Sequence, residues 1–264
     1  MMDSFTVARD DHPRDVTLTT STDALESARL TLDRERRQFT DELGALESFA
    51  DRVRSLSVSQ PPSADPAPLV GHTRGLERVR DAYVETVMSV PHFQAVYDEP
   101  ADESLREELG EELAAAITGG SALHPQLKRS LLGAIRQSIR SREVVLTHLE
   151  EEADALARAE RTLTGLLEEV ASVLAQPLDQ LEFNALRLSR ERLEELRRRC
   201  DELAVGRQDQ LRRRRISLLD VDEYGRYLYR DCESPFPVLS TIAAVGDLLE
   251  DAIRRVDARL ARAR

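Results

Sequence analysis

The most regular feature of the sequence is a heptad repeat of apolar residues, which recurs in segments separated by proline or glycine. In the first segment eight of ten heptad positions are apolar, whereas a hydrophobic content of 41% would give about four. The pattern predicts an N-terminal coiled-coil helix over residues 21–57, capped by Ser21, Thr22 or Asp23. Its heptad positions are Leu25, Ala28, Leu32, Glu35, Phe39, Glu42, Leu46, Phe49, Val53 and Leu56.

A longer repeat begins after Pro125 and continues for about 50 residues, or about 75 Å of helix. Eleven of its thirteen heptad positions are apolar, and the exceptions are Arg142 and Glu160. Pro177 interrupts the repeat, and another amphipathic segment follows directly. So short a break most simply produces an antiparallel hairpin, predicted over residues 125–215, although the two helices could instead meet at an open angle.

The other segments also have helical periodicity. One predicted helix begins near Thr73 and ends or kinks at Pro91, and a short one over residues 105–117 stops at Gly119 and Gly120. A C-terminal helix is predicted over residues 237–262. Because no strand pattern is visible, the predicted fold is all-α: an elongated helical bundle with a long coiled-coil-like antiparallel hairpin.

Composition along the chain predicts the domain organisation. Residues 1–20 are polar and unpatterned, as expected for a disordered acidic tail. Residues 58–70 form a proline-rich linker that cannot continue a helix. Residues 71–264 are then a helical bundle that contains the central hairpin and the C-terminal helix.

The charge balance indicates an acidic protein, with 49 Asp and Glu residues against 37 Lys and Arg, for a net charge of −12. Lys128 is the only lysine. Codon bias in a GC-rich genome would explain this scarcity of lysine. A cytoplasm rich in salt, in which hydrated carboxylates maintain solubility, would explain both the missing lysine and the acidity, and is the favoured interpretation.

Targeting signals and cysteine frameworks are not apparent. The N-terminus has neither a basic region nor an apolar region of the kind found in signal peptides, and no window approaches 18 apolar residues. Cys200 and Cys232 are too few and too far apart for a disulfide framework or a zinc motif. A cytoplasmic protein without membrane insertion is therefore predicted.

Several segments together carry a family resemblance that extends over about residues 24–260. They are residues 82–93, 97–105, 200–208, 224–229 and 236–239, the first reading Ala-Tyr-Val-Glu-Thr-Val-Met-Ser-Val-Pro-His-Phe. The chain resembles a haloarchaeal family of uncharacterised helical proteins, catalogued as a domain of unknown function. The resemblance implies a halophilic archaeal source and brings no activity with it.

The segment from Val90 to Phe93 is the most distinctive local feature. In one interpretation His92 is a titratable contact in a site with Tyr83, Glu85 and Asp98. In the favoured one, Pro91 ends a helix, aromatic residues cover that end, and His92 is a partly buried polar residue. The candidate interaction residues here and in the connector over residues 220–234 are Tyr83, Glu85, His92, Phe93, Tyr97, Tyr224, Tyr227 and Tyr229.

Motifs for catalysis or metal binding are missing from the sequence. None of the five histidines has a glutamate three residues before it, as di-metal carboxylate sites in helical bundles require. There is neither a Gly-x-Ser-x-Gly motif nor a phosphate-binding glycine loop. We therefore predict no catalytic residue, no metal, no cofactor and a protein that is not an enzyme.

The basic run Arg212, Arg213, Arg214 and Arg215 is the strongest indication of nucleic-acid binding, since adjacent arginines could neutralise phosphates. The acidity of the whole chain argues against it, as does screening at high salt. The other interpretation is a solvated helix end, where arginines complement the helix dipole.

Charged residues at inward heptad positions bear on function. Glu35, Glu42, Arg142 and Glu160 either determine register or partner choice, or lie where the apolar stripe drifts outward; the sequence favours neither. The predicted function is a non-enzymatic protein–protein interaction or scaffold role through coiled-coil helices, with self-association as a homodimer. The alternative is a nucleic-acid-associated regulator that uses residues 212–215.

Overall fold

A computed structural model describes residues 13–58, 74–120, 122–214 and 227–263 of the chain. Every regular element in these ranges is a helix, which confirms the predicted all-α fold. None of these helices is both long enough and apolar enough to cross a membrane. The elements are α1 (Pro13–Ser55), α2 (Arg74–Thr86), a 3₁₀ turn (Val87–Ser89), α3 (Phe93–Val96), α4 (Ala101–Leu109), α5 (Glu111–Gly119), α6 (Pro125–Leu174), α7 (Phe183–Arg214) and α8 (Pro237–Leu260).

Two prolines that the sequence placed at helix starts occupy those positions. Pro125 begins the 50-residue α6, and Pro237 begins α8. A first-turn proline loses no helical hydrogen bond, and its φ angle is already suitable. His124 caps α6 as well, because its Nδ1 accepts a hydrogen bond from the backbone N–H of Leu127 at 3.1 Å.

The first helix begins earlier than predicted. Residues 13–20 are helical, so the predicted tail over residues 1–20 is wrong for its last eight residues. Pro13 is compatible with the first turn, and neither proline nor glycine follows before Gly44. The rest of the predicted tail, and the predicted linker from residue 59 onward, lie outside the described residues.

The helix predicted over residues 105–117 is two helices, α4 and α5, which meet at Gly110. Gly110 has a φ angle of 89°, in the left-handed region that glycine adopts without a steric penalty. Its N–H donates to Arg106 O at 2.9 Å and its carbonyl accepts from Ala114 N–H at 3.0 Å. Gly110 therefore ends one helix and begins the next.

The chain divides into two compact units. The middle unit is Arg34–Glu151, and the terminal unit takes the described residues up to Asp33 and those from Glu152 onward. The boundaries fall inside α1 and α6, so each of these helices contributes residues to both units.

The core of the middle unit is formed by α1, α2, α4, α5 and α6. Phe49 and Tyr83 are fully buried at its centre, with their rings edge to face and their centroids 5.3 Å apart. Lys128, at the start of α6, donates from Nζ to the backbone oxygens of Arg54 and Leu56, each at 2.7 Å. The chain's only lysine therefore satisfies carbonyls at the C-terminal end of α1, where a cation is favourable.

In the terminal unit, α7 lies antiparallel to the second part of α6. Glu152 of α6 pairs with Arg207, whereas Glu169, further along α6, pairs with the earlier residues Arg192 and Arg199. This reversed order is the predicted antiparallel hairpin, formed by the part of α6 from Glu152 onward. The earlier part of α6 belongs to the middle unit.

Helix α8 completes the terminal unit by packing antiparallel to α7. Arg197 donates to Glu250 at 2.6 Å and to the backbone oxygen of Gly246 at 3.0 Å. Cys200 contacts the backbone oxygen of Ile242 at 3.5 Å. A Cβ at position 246 would lie 3.4 Å from the Arg197 guanidinium, about an ordinary van der Waals contact.

The inward polar positions of the heptads differ among themselves. Glu35 and Glu42 are buried, and Arg142 is largely buried, whereas Glu160 is exposed. Outward drift of the stripe therefore explains Glu160. It does not explain Glu42 and Arg142, which pair with each other inside the middle unit.

Candidate functional site

A cavity of about 370 Å³ lies in the middle unit, between α1, α2, α3, α4 and α6. Its wall is formed by charged, uncharged polar, apolar and aromatic side chains, of which the charged ones are the most numerous. The lining residues are Glu42, Leu46, Tyr83, Val87, Val90, Phe93, Tyr97, Glu99, Ser104, Glu107, Glu108, Gln137, Ser138, Ser141 and Arg142.

Glu42 is the centre of a hydrogen-bond network in this wall. Its Oε1 accepts from the Tyr97 hydroxyl at 2.7 Å and from His92 Nε2 at 3.1 Å. Its Oε2 accepts from Arg142 Nε at 3.2 Å. The carboxylate is buried, with 9% of the side chain exposed, and these donors replace the water it loses.

Arg142 is held on its other side by Glu108. The two terminal nitrogens of its guanidinium donate to the two carboxylate oxygens of Glu108, at 3.0 and 2.6 Å. Burial by itself would lower the pKa of Arg142, but the carboxylates of Glu108 and Glu42 raise it above its ordinary value. Arg142 is therefore a permanent cation, and three of its five N–H donors are directed at two carboxylates.

The turn after α2 brings the aromatic residues to the cavity. The backbone N–H of Phe93 closes the turn on Val90 O at 3.1 Å, and α3 begins at once. The rings of Phe93 and Tyr97, four residues apart, lie 5.5 Å apart between centroids. Asp98 follows with a φ angle of 44°, which ends α3. Val90–Phe93 is thus both the end of a helix and part of the cavity wall.

Tyr83 forms the buried side of the cavity. Its hydroxyl is hydrogen-bonded to the Ser104 hydroxyl at 2.8 Å. Burial raises the pKa of Tyr83 well above its ordinary value of 10.0, outweighing the hydrogen bond from Ser104, which lowers it. Tyr83 in the folded protein therefore remains neutral at alkaline pH values at which an exposed tyrosine ionises.

This burial predicts a loss of stability in alkali. Below about pH 10 Tyr83 is neutral in both the folded and the unfolded state. Above about pH 10 Tyr83 ionises in the unfolded chain but not in the folded one, which lowers the free energy of the unfolded state. Tyr83→Phe should cost about 1 kcal/mol below pH 10, because Ser104 loses its partner. That difference should shrink as pH rises. Urea denaturation of both proteins across the range measures it, and a constant difference would contradict the assignment.

The structure brings together part of the candidate set from the Val90–Phe93 region. Tyr83, Phe93 and Tyr97 line the cavity, and His92 donates to Glu42 at its edge. Glu85 does not line it: the side chain is exposed and pairs with Arg52. Asp98 is also outside the lining set, exposed and hydrogen-bonded to Gln94; the proposed grouping of His92 with Glu85 and Asp98 does not occur.

The two described tyrosines of the connector, Tyr227 and Tyr229, lie in the terminal unit. Tyr229 is buried and donates to Glu152 at 2.6 Å. Tyr227 is half exposed, with the Arg230 guanidinium 5.5 Å from its ring centroid. Tyr224 lies outside the described residues. The two described tyrosines therefore serve different purposes, one in packing and one at the surface.

The basic run lies at the end of α7. Arg212 is exposed and pairs with Asp209 at 3.3 Å, and Arg213 is also exposed. Arg214 continues the helix, although its side chain is outside the described set, as is all of Arg215. Arg207, five residues before this run, is buried in the interior.

Glu152 and Arg207 form a second buried charged cluster, which sequence reasoning missed. The guanidinium of Arg207 donates to both carboxylate oxygens of Glu152, at 3.1 and 2.5 Å, and Tyr229 donates to the same group. Glu152 and Arg207 are 1% and 5% exposed. A signal existed, because Arg207 is the next heptad position after Cys200 and Leu203. Its place beside a basic run obscured it.

The described residues offer little for metal or thiol chemistry. Within the described ranges no group of three or more His, Cys, Asp or Glu side chains could hold a metal ion. Burial raises the pKa of the Cys200 thiol, which disfavours the nucleophilic thiolate. The cavity wall itself offers charge, hydrogen-bonding groups and aromatic surface.

In comparison with known protein families, residues 23–253 match a family described as a domain of unknown function, DUF7260. The chain belongs to this family. The match covers most of the chain and includes both the cavity and the buried pair of the terminal unit. No curated protein and no solved structure matches this DUF7260 chain. Its family membership carries no activity, so a function must be inferred from its geometry.

Proposed function

We propose that this DUF7260 protein is a non-enzymatic interaction protein of a halophilic archaeal cytoplasm. It associates through the outer faces of its long coiled-coil helices, and a second copy of the chain is its first partner. The basis for this proposal is that the long helices carry large apolar side chains that are exposed to solvent, although their inward heptad positions are already packed within the chain.

Helix α7 shows this most clearly. Leu188 and Val205 are 59% and 58% exposed on a helix whose inward positions are buried against α6 and α8. The charged residues around them are paired within the chain, as Arg198 is with Glu195 and Glu202. Burying such apolar side chains against another helix contributes about 25 cal/mol per Å². A helix from a second copy would supply that surface.

The charge of the chain supports a salt-rich environment. With a net charge of −12, two copies repel each other at low salt. Near molar salt the Debye length falls to about 3 Å, so this repulsion is screened while the apolar contact persists. The scarcity of lysine and the family resemblance also support a halophilic archaeal source. Association is therefore expected to strengthen as salt rises.

Sedimentation equilibrium at low and high potassium chloride tests the proposal. We expect a dimer at high salt that dissociates when Leu188 and Val205 are both replaced by glutamate. Gln208→Glu with Gln210→Glu is the matched control, since it adds the same charge at exposed positions of α7 and should leave the dimer intact. A monomeric wild-type protein at high salt would contradict self-association, and a dimeric glutamate variant would exclude this face.

A nucleic-acid-associated regulator is the second candidate. The exposure of Arg212, at 71% of its side chain, favours it, because a phosphate in solvent could reach the guanidinium and compete with its exposed partner Asp209. Replacing Arg212 and Arg213 with glutamine should then weaken binding to a labelled duplex in fluorescence anisotropy at low salt. Equal affinity of wild type and variant would rule this candidate out.

A further inference from the structure

We propose that the cavity of the middle unit binds a small organic cation that carries a primary ammonium group. This binding site is independent of the proposed self-association, whose test concerns the outer face of α7 in the terminal unit. The observations that support it are the charge of the wall, the occupation of its only arginine, and its aromatic and hydroxyl surface.

The charge of the lining favours a cation. Four carboxylates line the cavity, Glu42, Glu99, Glu107 and Glu108, against the single guanidinium of Arg142. The lining therefore carries three net negative charges. A cation entering it gains from their field, and the low-dielectric walls strengthen that attraction.

Arg142 does not convert this cavity into an anion site. Its Nε and both terminal nitrogens already donate to Glu42 and Glu108. An incoming carboxylate or phosphate would have to share this guanidinium with two internal carboxylates, and it would also face Glu99 and Glu107. The charge of Arg142 is thus already balanced by carboxylates of the wall.

Two of the carboxylates are available to a ligand. Glu99 and Glu107 line the cavity, and neither has a hydrogen bond or ion pair with any other described residue. Glu99 lies between α3 and α4, and Glu107 lies on α4 beside Glu108. An ammonium N–H donating to such a carboxylate makes a charge-assisted hydrogen bond, one of the stronger interactions available to a small ligand.

The uncharged part of the wall suits the rest of such a molecule. The rings of Tyr83, Phe93 and Tyr97 attract cations through their faces and shelter a short alkyl chain. The hydroxyl of Ser141 adds a hydrogen-bond acceptor for the ammonium group. A volume of about 370 Å³ lies within the range of roughly 300–1,000 Å³ typical of small-molecule sites.

Isothermal titration calorimetry of the full chain with 1,5-diaminopentane tests the proposal. Tetramethylammonium, which cannot donate a hydrogen bond, and benzoate, an anion, are the comparison probes. We expect the diamine to bind, and to bind more tightly than either comparison probe. Replacing Glu99 and Glu107 with glutamine should weaken it at least about tenfold, because the charge-assisted hydrogen bonds are lost.

Glu103→Gln with Glu112→Gln is the matched control, because it removes the same charge from exposed positions outside the cavity. Its affinity should stay within about twofold of the wild type. No heat of binding for the diamine, equal weakening in both variants, or tighter binding of benzoate would overturn the proposal. Equal affinity for tetramethylammonium would overturn the assignment to a primary ammonium group.

Discussion

Replacing Glu152 with leucine should lower the free energy of unfolding by about 3–5 kcal/mol, because it leaves the guanidinium of Arg207 buried without a counter-charge. Both side chains are buried, and Tyr229 also loses its acceptor. Arg207 Nε is buried and has no hydrogen-bond partner among the described residues even in the intact cluster. The carboxylate of Glu152, which accepts from both terminal nitrogens, therefore offsets the cost of burying the Arg207 guanidinium.

Urea denaturation followed by circular dichroism measures this change. Adding Arg207→Met to Glu152→Leu should recover most of the loss, since a buried pair can be replaced by apolar side chains of similar size. Arg198→Met is the control: Arg198 pairs with Glu195 and Glu202 on an exposed face, and its loss should cost at most about 0.5 kcal/mol. A Glu152→Leu variant within about 1 kcal/mol of wild type would contradict the expectation.

The second large effect is expected at Arg142 of the middle unit. Arg142→Met should lower the free energy of unfolding by about 3 kcal/mol, because the carboxylates of Glu42 and Glu108 would face each other without their common counter-charge. His92 and Tyr97 would still donate to Glu42. The expected loss in the free energy of unfolding is therefore at the lower end of the range of about 3–5 kcal/mol for breaking a buried ion pair.

The same denaturation measurement, with Arg136→Met as the control, tests Arg142. Arg136 lies on the same helix with its side chain exposed, so its replacement should stay within about 0.5 kcal/mol of wild type. Near-ultraviolet circular dichroism should also change for Arg142→Met alone, because Tyr97 shares the network through Glu42. Equal losses in the two variants would show that the buried network contributes little.

The two clusters have a common design. Within each unit, a carboxylate on one long helix pairs with an arginine on the antiparallel helix beside it: Glu42 with Arg142, and Glu152 with Arg207. Shifting either helix by one turn would leave both charges buried and unpaired, which costs several kcal/mol. Each buried ion pair therefore favours a single register of the two helices that it joins. This agrees with the interpretation that charged residues at inward heptad positions determine register.

Part of the candidate site is recognisable in the sequence alone. The turn at Pro91 and the aromatic residues Phe93 and Tyr97 stood out locally, and they line the cavity. Glu42 and Arg142 stood out as polar interruptions of apolar stripes. Their pairing could not be predicted, because 100 residues separate them and periodicity places a residue on a face without saying what that face meets.

The sequence by itself determined the helices, because apolar periodicity and proline positions act locally: Pro125 and Pro237 begin α6 and α8. Only the tertiary structure decided which polar residues lie inside. Glu108 and Glu152 carry no local mark, and the heptad position of Arg207 does not by itself show that it is buried. The burial of all three depends on which helices pack together and in which register. A charge enters the interior only where a distant partner offsets its desolvation, and packing alone supplies that partner.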